Sequence, residues 1–111
     1  MNPVYDVWEK IIDVGAFESI TPSKAAFTIP IPFPSCLLES YRVGYVAGSV
    51  AQTDISLSLN GSISRMLYYE NDDIKMNKAL QFDDRLTLDV QNYDKVNPVT
   101  VIVTLNFSKM E

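Results

Sequence analysis

Strict two-residue alternation between residues 84 and 107 constrains this chain more than any other feature. Arg85-Leu86-Thr87-Leu88-Asp89-Val90-Gln91 alternates polar and apolar without a break, and Val99-Thr100-Val101-Ile102-Val103-Thr104-Leu105-Asn106-Phe107 repeats the pattern with Ile102 the only apolar residue on its second face. In an extended chain this period puts Leu86, Leu88 and Val90 on one side of a sheet, and likewise Val99, Val101, Val103, Leu105 and Phe107. Six of the eight residues from 99 to 106 are β-branched, which rules out a helix. The link Asn92-Tyr93-Asp94-Lys95-Val96-Asn97-Pro98 is polar and too short for a crossover. The two strands are therefore expected to be antiparallel neighbours.

The N-terminus has a different rhythm. Asn2-Pro3 reads as a helix cap followed by proline at the first helical position. Val4, Val7, Trp8, Ile11 and Ile12 follow at three- and four-residue spacing, and Gly15 supplies a stop. The spacing predicts a short amphipathic helix whose apolar stripe covers the core or docks on another subunit. Residues 17–26 read as an irregular arm, with Ser19, Thr21, Pro22 and Ser23 as loop residues. The expected division is thus a helix and arm over residues 1–26 and a β-domain over residues 27–111.

Phe27-Thr28-Ile29-Pro30-Ile31-Pro32-Phe33-Pro34 sets Phe27, Ile29, Ile31 and Phe33 on one face and a proline at every second position after Thr28. All three missing N–H groups would lie along one side. This predicts an edge strand unable to accept a further strand, with an extended polyproline-like arm as the alternative.

Residues 40–47 predict a strand with Tyr41, Val43 and Tyr45 on one face. Asp54-Ile55-Ser56-Leu57-Ser58-Leu59 predicts another, running into Asn60-Gly61, a strong hairpin signal. Its register is ambiguous. A two-residue loop pairs Leu59 with Ser62 and strands Ile63 on the polar face; a three-residue loop pairs Ile55 with Leu67 but turns Arg65 inward opposite Leu57. A bulge is one way out. Residues 70–73 read as a solvated loop, and residues 74–82 as irregular chain with a short strand or turn of helix.

Charge and composition narrow the function classes. With 111 residues and 47% apolar content, one domain with a single small core is expected. Fourteen acidic residues against nine basic ones, net −5, argue against a nucleic-acid partner. No apolar stretch is long enough to span a bilayer, and the N-terminal residues lack a secretory pattern, so a cytoplasmic location is expected. The lone Cys36 excludes an internal disulfide, and the absence of histidine removes histidine-dependent triads and the usual zinc sites. No cofactor is expected.

Chemistry would have to come from carboxylates: Glu70, Asp72, Asp73, Asp83, Asp84 and Asp89. All but Asp89 sit in expected loops, where acids are ordinarily just solvated. Glu70-Asn71-Asp72-Asp73 with Asn77 offers oxygen ligands for calcium but lacks the alternating order of the helix-loop-helix calcium motif, and a charged turn is the simpler reading. Trp8, Tyr41, Tyr45, Tyr68, Tyr69 and Tyr93 could form a sugar-binding platform, although aromatic residues more often fill cores. Cys36, with no activating partner, is expected to be inert.

The expected architecture is mainly β: a small antiparallel sandwich or jelly-roll-like sheet of six to eight strands, preceded by one N-terminal helix. The alternating pair at residues 86–90 and 99–105, with an arm ahead of the sandwich, resembles the small β-sandwich proteins of virus and bacteriophage particles: penton, decoration or head-fibre subunits. The resemblance implies a non-enzymatic structural subunit, partnered by itself and by other structural proteins of a virion and assembled in the host cytoplasm. The candidate interaction residues are Val4, Val7, Trp8, Ile11 and Ile12 on the helix, Ile29, Ile31 and Phe33 on the proline-flanked strand, and Tyr93 in the final loop. A carbohydrate-binding module and an acidic inhibitor or regulatory protein are the alternatives.

Overall fold

The computed structural model describes residues 4–18 and 23–110. Eight strands account for most of them: β1 (Tyr5–Val14), β2 (Ser23–Ile29), β3 (Ser35–Ala47), β4 (Thr53–Leu59), β5 (Ser62–Leu67), β6 (Ile74–Gln81), β7 (Leu86–Asn92) and β8 (Val99–Lys109). They form two four-stranded antiparallel sheets, ordered β1-β8-β3-β6 and β2-β7-β4-β5. The pairings β1–β8, β2–β7, β3–β6 and β4–β5 describe one long ribbon doubled back at the β4–β5 turn. Winding that ribbon sets β8 beside β3 and β7 beside β4. The apolar faces meet between the sheets in one core containing Leu38, Tyr41, Val43, Ile55, Leu57, Leu80, Leu88, Val101, Leu105 and Phe107.

The alternating strands lie where their period demands. Along β7, Leu86, Leu88 and Val90 are buried, and along β8 so are Val99, Val101, Val103, Leu105 and Phe107. They are not neighbours, however. The expected hairpin is an arch: β7 is central in one sheet, β8 is central in the other, and residues 93–98 carry the chain between them. Alternation followed by a short polar link is common to both geometries. What separates them is that each strand here has a better partner on either side, so the apolar faces oppose each other across the core.

The expected N-terminal helix is absent. Among the described residues there is no α-helix, only a 3-10 turn at Val50–Gln52. Residues 5–14 instead pair with β8 without a register break, from Tyr5↔Ser108 to Val14↔Val99. The apolar doublets Val7-Trp8 and Ile11-Ile12 explain the misreading. Each doublet offers one residue to either face of a strand while also satisfying helical spacing. Trp8, Ile12 and Val14 turn inward; Val7 and Ile11 turn out. The long, β-branched β8 needs a partner on this side, and tertiary pairing overrides the local pattern. The expected boundary at residues 26/27 falls inside β2. Asn2, Pro3, Ser19, Thr21 and Pro22 lie outside the described residues.

Phe27-Thr28-Ile29 does end an edge strand, β2, but the prolines do not guard it. Pro30 ends the strand, and residues 30–34 cross to the other sheet, with Ile31 and Phe33 packed against the core. At Asn60-Gly61 the two-residue register sets the turn, and the pairings of the three-residue register occur only farther along, since Leu59 does not meet Ile63. Asn60 and Gly61 have φ of 54° and 89°, the mirror-image turn favoured in two-residue hairpins. Leu59 faces Ser62 and Ser58 faces Ile63; an irregularity at Ser64 then shifts the pairing to Leu57↔Arg65 and Ile55↔Leu67. Residues 74–81 form a full strand rather than irregular chain. They were hard to read because Asn77 takes a left-handed φ of 51° and only Leu80 is fully buried.

Candidate functional surface

The outer face of the β1-β8-β3-β6 sheet carries the most organised surface chemistry. The odd-numbered residues of β1 point outward, and registration aligns them with β8 and β3 in cross-strand rows: Ile11, Ile102 and Gly44; Glu9, Thr104 and Arg42; Val7, Asn106 and Ser40. Gly44 contributes no side chain, which opens a shallow depression of about 410 Å³ lined by Glu9, Arg42, Asp73, Ile102, Thr104 and Asn106.

The polar groups around it are already engaged. Thr104 Oγ1 donates to Glu9 Oε1 at 3.3 Å, Asn106 Nδ2 donates to Ser40 Oγ at 3.0 Å, and Thr100 Oγ1 donates to Asp13 Oδ1 at 2.7 Å. The Arg42 guanidinium meets Asp73 at 3.1 Å with both side chains about half exposed, so water screens the pair. The depression is open to solvent, and its charged groups are the Arg42–Asp73 pair and the Glu9 carboxylate that accepts from Thr104.

Beside it runs an apolar strip on β1. Tyr5, Val7 and Ile11 are 60%, 55% and 64% exposed, with Glu9 between Val7 and Ile11 on the same face. No described strand pairs with the far side of β1. The Val4 carbonyl accepts the Lys109 N–H, so the even-numbered residues of β1 spend their backbone groups on β8. Those of Tyr5, Val7, Glu9, Ile11 and Asp13 point to the open edge.

The residues expected to interact do not form one patch. Val4, Val7 and Ile11 are exposed, Trp8 is half-buried, and Ile12 and Ile29 are in the core. Ile31 and Phe33 are half-buried beneath the crossover, and Tyr93 stands apart beyond β7, its hydroxyl donating to Gln91 Oε1 at 2.8 Å. Tyr5 and Ile102 belong with Val7 and Ile11; a two-residue period along residues 5–11 was the signal that would have found Tyr5.

The remaining candidates are dispersed. Tyr41 is buried, its hydroxyl accepting the Tyr68 N–H at 3.4 Å, with the Arg65 guanidinium 5.7 Å from its ring centre. Arg65 stands opposite Leu57 as one register required but remains exposed, its guanidinium donating to the Lys75 carbonyl at 3.4 Å. Tyr45 and Tyr69 meet edge to face at 5.8 Å, while Trp8 and Tyr93 lie elsewhere, so the aromatic residues make no common platform. Asp73 is committed to Arg42, Asn71 accepts the Tyr69 hydroxyl, and Asp89 pairs with Lys24 at 3.4 Å. Among the described residues no three acidic, cysteine or histidine side chains gather in a metal-binding group, and no helix is long and apolar enough to cross a membrane. Cys36 is wholly buried, and burial pushes its thiol pKa up, away from the reactive thiolate.

No protein-family model matches the chain, and no curated protein sequence matches it significantly.

Proposed function

We propose that this chain is a non-enzymatic structural subunit of a virion-type particle, a penton, decoration or head-fibre protein that works by self-association or by docking on a larger assembly. The connectivity supports the reading. A doubled ribbon wound into sheets ordered β1-β8-β3-β6 and β2-β7-β4-β5 is the jelly-roll order, an architecture shared by viral capsid proteins, lectins and cupins. Fold alone does not choose among these. The observation that carries the choice is the exposed apolar strip Tyr5, Val7 and Ile11 on a strand whose outer edge is unpaired. A surface of that kind favours contact with protein over contact with water. In this reading the subunit is made in a host cytoplasm and carried into the particle, and its partners are copies of itself and other particle proteins.

Sedimentation velocity across a wide concentration range tests the proposal. A defined oligomer, or a monomer that co-sediments with assembled particles, supports it. A monomer at every concentration that retains a glycan on an array would replace it with the carbohydrate-binding alternative.

A further inference from the structure

We propose that a second copy of this chain adds its β1 antiparallel to β1, about a two-fold axis at Trp8, making one continuous eight-stranded sheet across the dimer. The inference rests on the assembly reading above and names the contact that would serve it.

Four strands lie at sheet edges: β1, β2, β5 and β6. Three carry features that discourage pairing. β2 is stopped by Pro30 after seven residues, β5 is broken by its irregularity at Ser64, and β6 contains the left-handed Asn77. β1 has neither proline nor bulge over its ten residues. Its one lysine, Lys10, has its ammonium 4.7 Å from the centre of the Phe27 ring and, in the dimer, turns from there to the Asp6 carboxylate of the second copy.

Charge selects the register. Because outward residues must meet outward residues, only a few two-fold alignments are allowed. Centring on Glu9 opposes Glu9 to itself, centring on Lys10 opposes Lys10 to itself, and centring on Ile11 opposes Glu9 to Asp13. Centring on Val7 opposes no like charges but leaves Asp6 opposite Trp8 and Lys10 opposite Val4, whereas centring on Trp8 opposes Asp6 to Lys10 of the second copy twice over and sets no like charges directly opposite. It also sets Tyr5 opposite Ile11, and Val7 opposite Glu9, on the outer face. The odd-numbered residues then form the hydrogen-bonded pairs, matching the backbone groups that β8 leaves free, for about eight new backbone hydrogen bonds. A strand-to-strand contact of this length is at the small end of specific interfaces, so the dimer should dissociate on dilution.

Sedimentation equilibrium on the full chain, with circular dichroism to check folding, tests the register. Val7→Pro removes an N–H that faces the open edge and none that β8 uses, and should weaken dimerisation at least tenfold while the fold persists. Asp6→Lys and Lys10→Asp should each weaken it at least tenfold, and the Asp6→Lys/Lys10→Asp double variant should recover most of the loss. Folded variants that still associate like the wild type would overturn the β1 contact while leaving assembly through another surface intact. A wild-type monomer at all concentrations that also fails to join any assembly would overturn both readings.

Discussion

Asn92 Nδ2 donates to the Gly15 carbonyl at 3.1 Å, joining the end of β7 to the exit of β1 across 77 positions of sequence. The same amide reaches the Asn97 carbonyl at 3.0 Å, and Asn92 Oδ1 accepts the Asp94 N–H at 2.9 Å. One buried side chain thus fixes the arch that carries the chain between sheets. Asn92→Leu would leave these backbone groups without partners in a site that water barely reaches. The expected loss is about 2–4 kcal/mol, read from urea denaturation. Asn106→Ala, which removes a more exposed bond to Ser40, should cost less than about 1 kcal/mol. Equal costs would mean that the Asn92 network is not what holds the arch.

Gly48 supports the same region from β3. Its φ is +99°, and a Cβ there would lie 2.8 Å from Val99 Cα and 2.9 Å from the Pro98 carbonyl oxygen. Both neighbours are backbone and cannot swing aside. Gly48→Ala should therefore destabilise the fold by about 1–3 kcal/mol, whereas Gly15→Ala, with open space around it, should be close to neutral. Thermal melts of the two variants make the comparison.

These positions show where the sequence was legible. Alternation identified β4, β7 and β8 and the buried side of each, because a half-buried strand imposes a period that one residue's slip would destroy. It did not identify partners. An arch and a hairpin share the same local signals, and only the long-range pairing of β8 with β1 and β3 separates them. Doublets such as Val7-Trp8 satisfy two periods at once, so β1 read as a helix, and the apolar strip it displays was assigned to the wrong set of neighbours. The depression over Gly44 was illegible for a related reason: it depends on registration across β1, β8 and β3 and on the loop that brings in Asp73. Asn92 carried no local signal beyond its place at a strand end.

Acid should weaken the turns before it reaches the core. The Asp94 carboxylate accepts the Val96 and Asn97 N–H groups at 2.8 and 3.0 Å, and these bonds hold its pKa below the ordinary 3.8. Asp84 is lowered by the Asn60 side-chain amide first and by the Gln81 N–H second, tying the β4–β5 turn to the β6–β7 turn. Between the lowered folded value and the ordinary unfolded one, the unfolded chain binds more protons. The contribution is thus complete above the unfolded value and lost as pH falls through the folded one. Both groups are exposed, so the effect is modest. Urea midpoints measured from about pH 7 down to about pH 3 should fall less for Asp94→Asn and Asp84→Asn than for the wild type. Superimposable acid limbs would remove these carboxylates from the account.

Deleting residues 1–20 tests the role of β1 most directly. Were this segment a detachable arm, the truncated chain would keep its fold. As a strand, it supplies β8 with hydrogen bonds along ten residues and buries Ile12, Val14 and part of Trp8. Each large apolar side chain is worth about 1.5–3 kcal/mol when fully buried, against a total stability of about 5–15 kcal/mol for a domain of this size. The deletion would also leave β8, the longest run of alternating apolar residues in the chain, as a bare edge. The truncated protein should therefore lose its cooperative melt and aggregate, as followed by circular dichroism and light scattering. Supplying a synthetic peptide of residues 1–18 should restore part of the signal by re-forming the β1–β8 pairing. A truncated chain that melts cooperatively as a soluble species would show that seven strands suffice, and that β1 serves contacts outside the domain rather than the core within it.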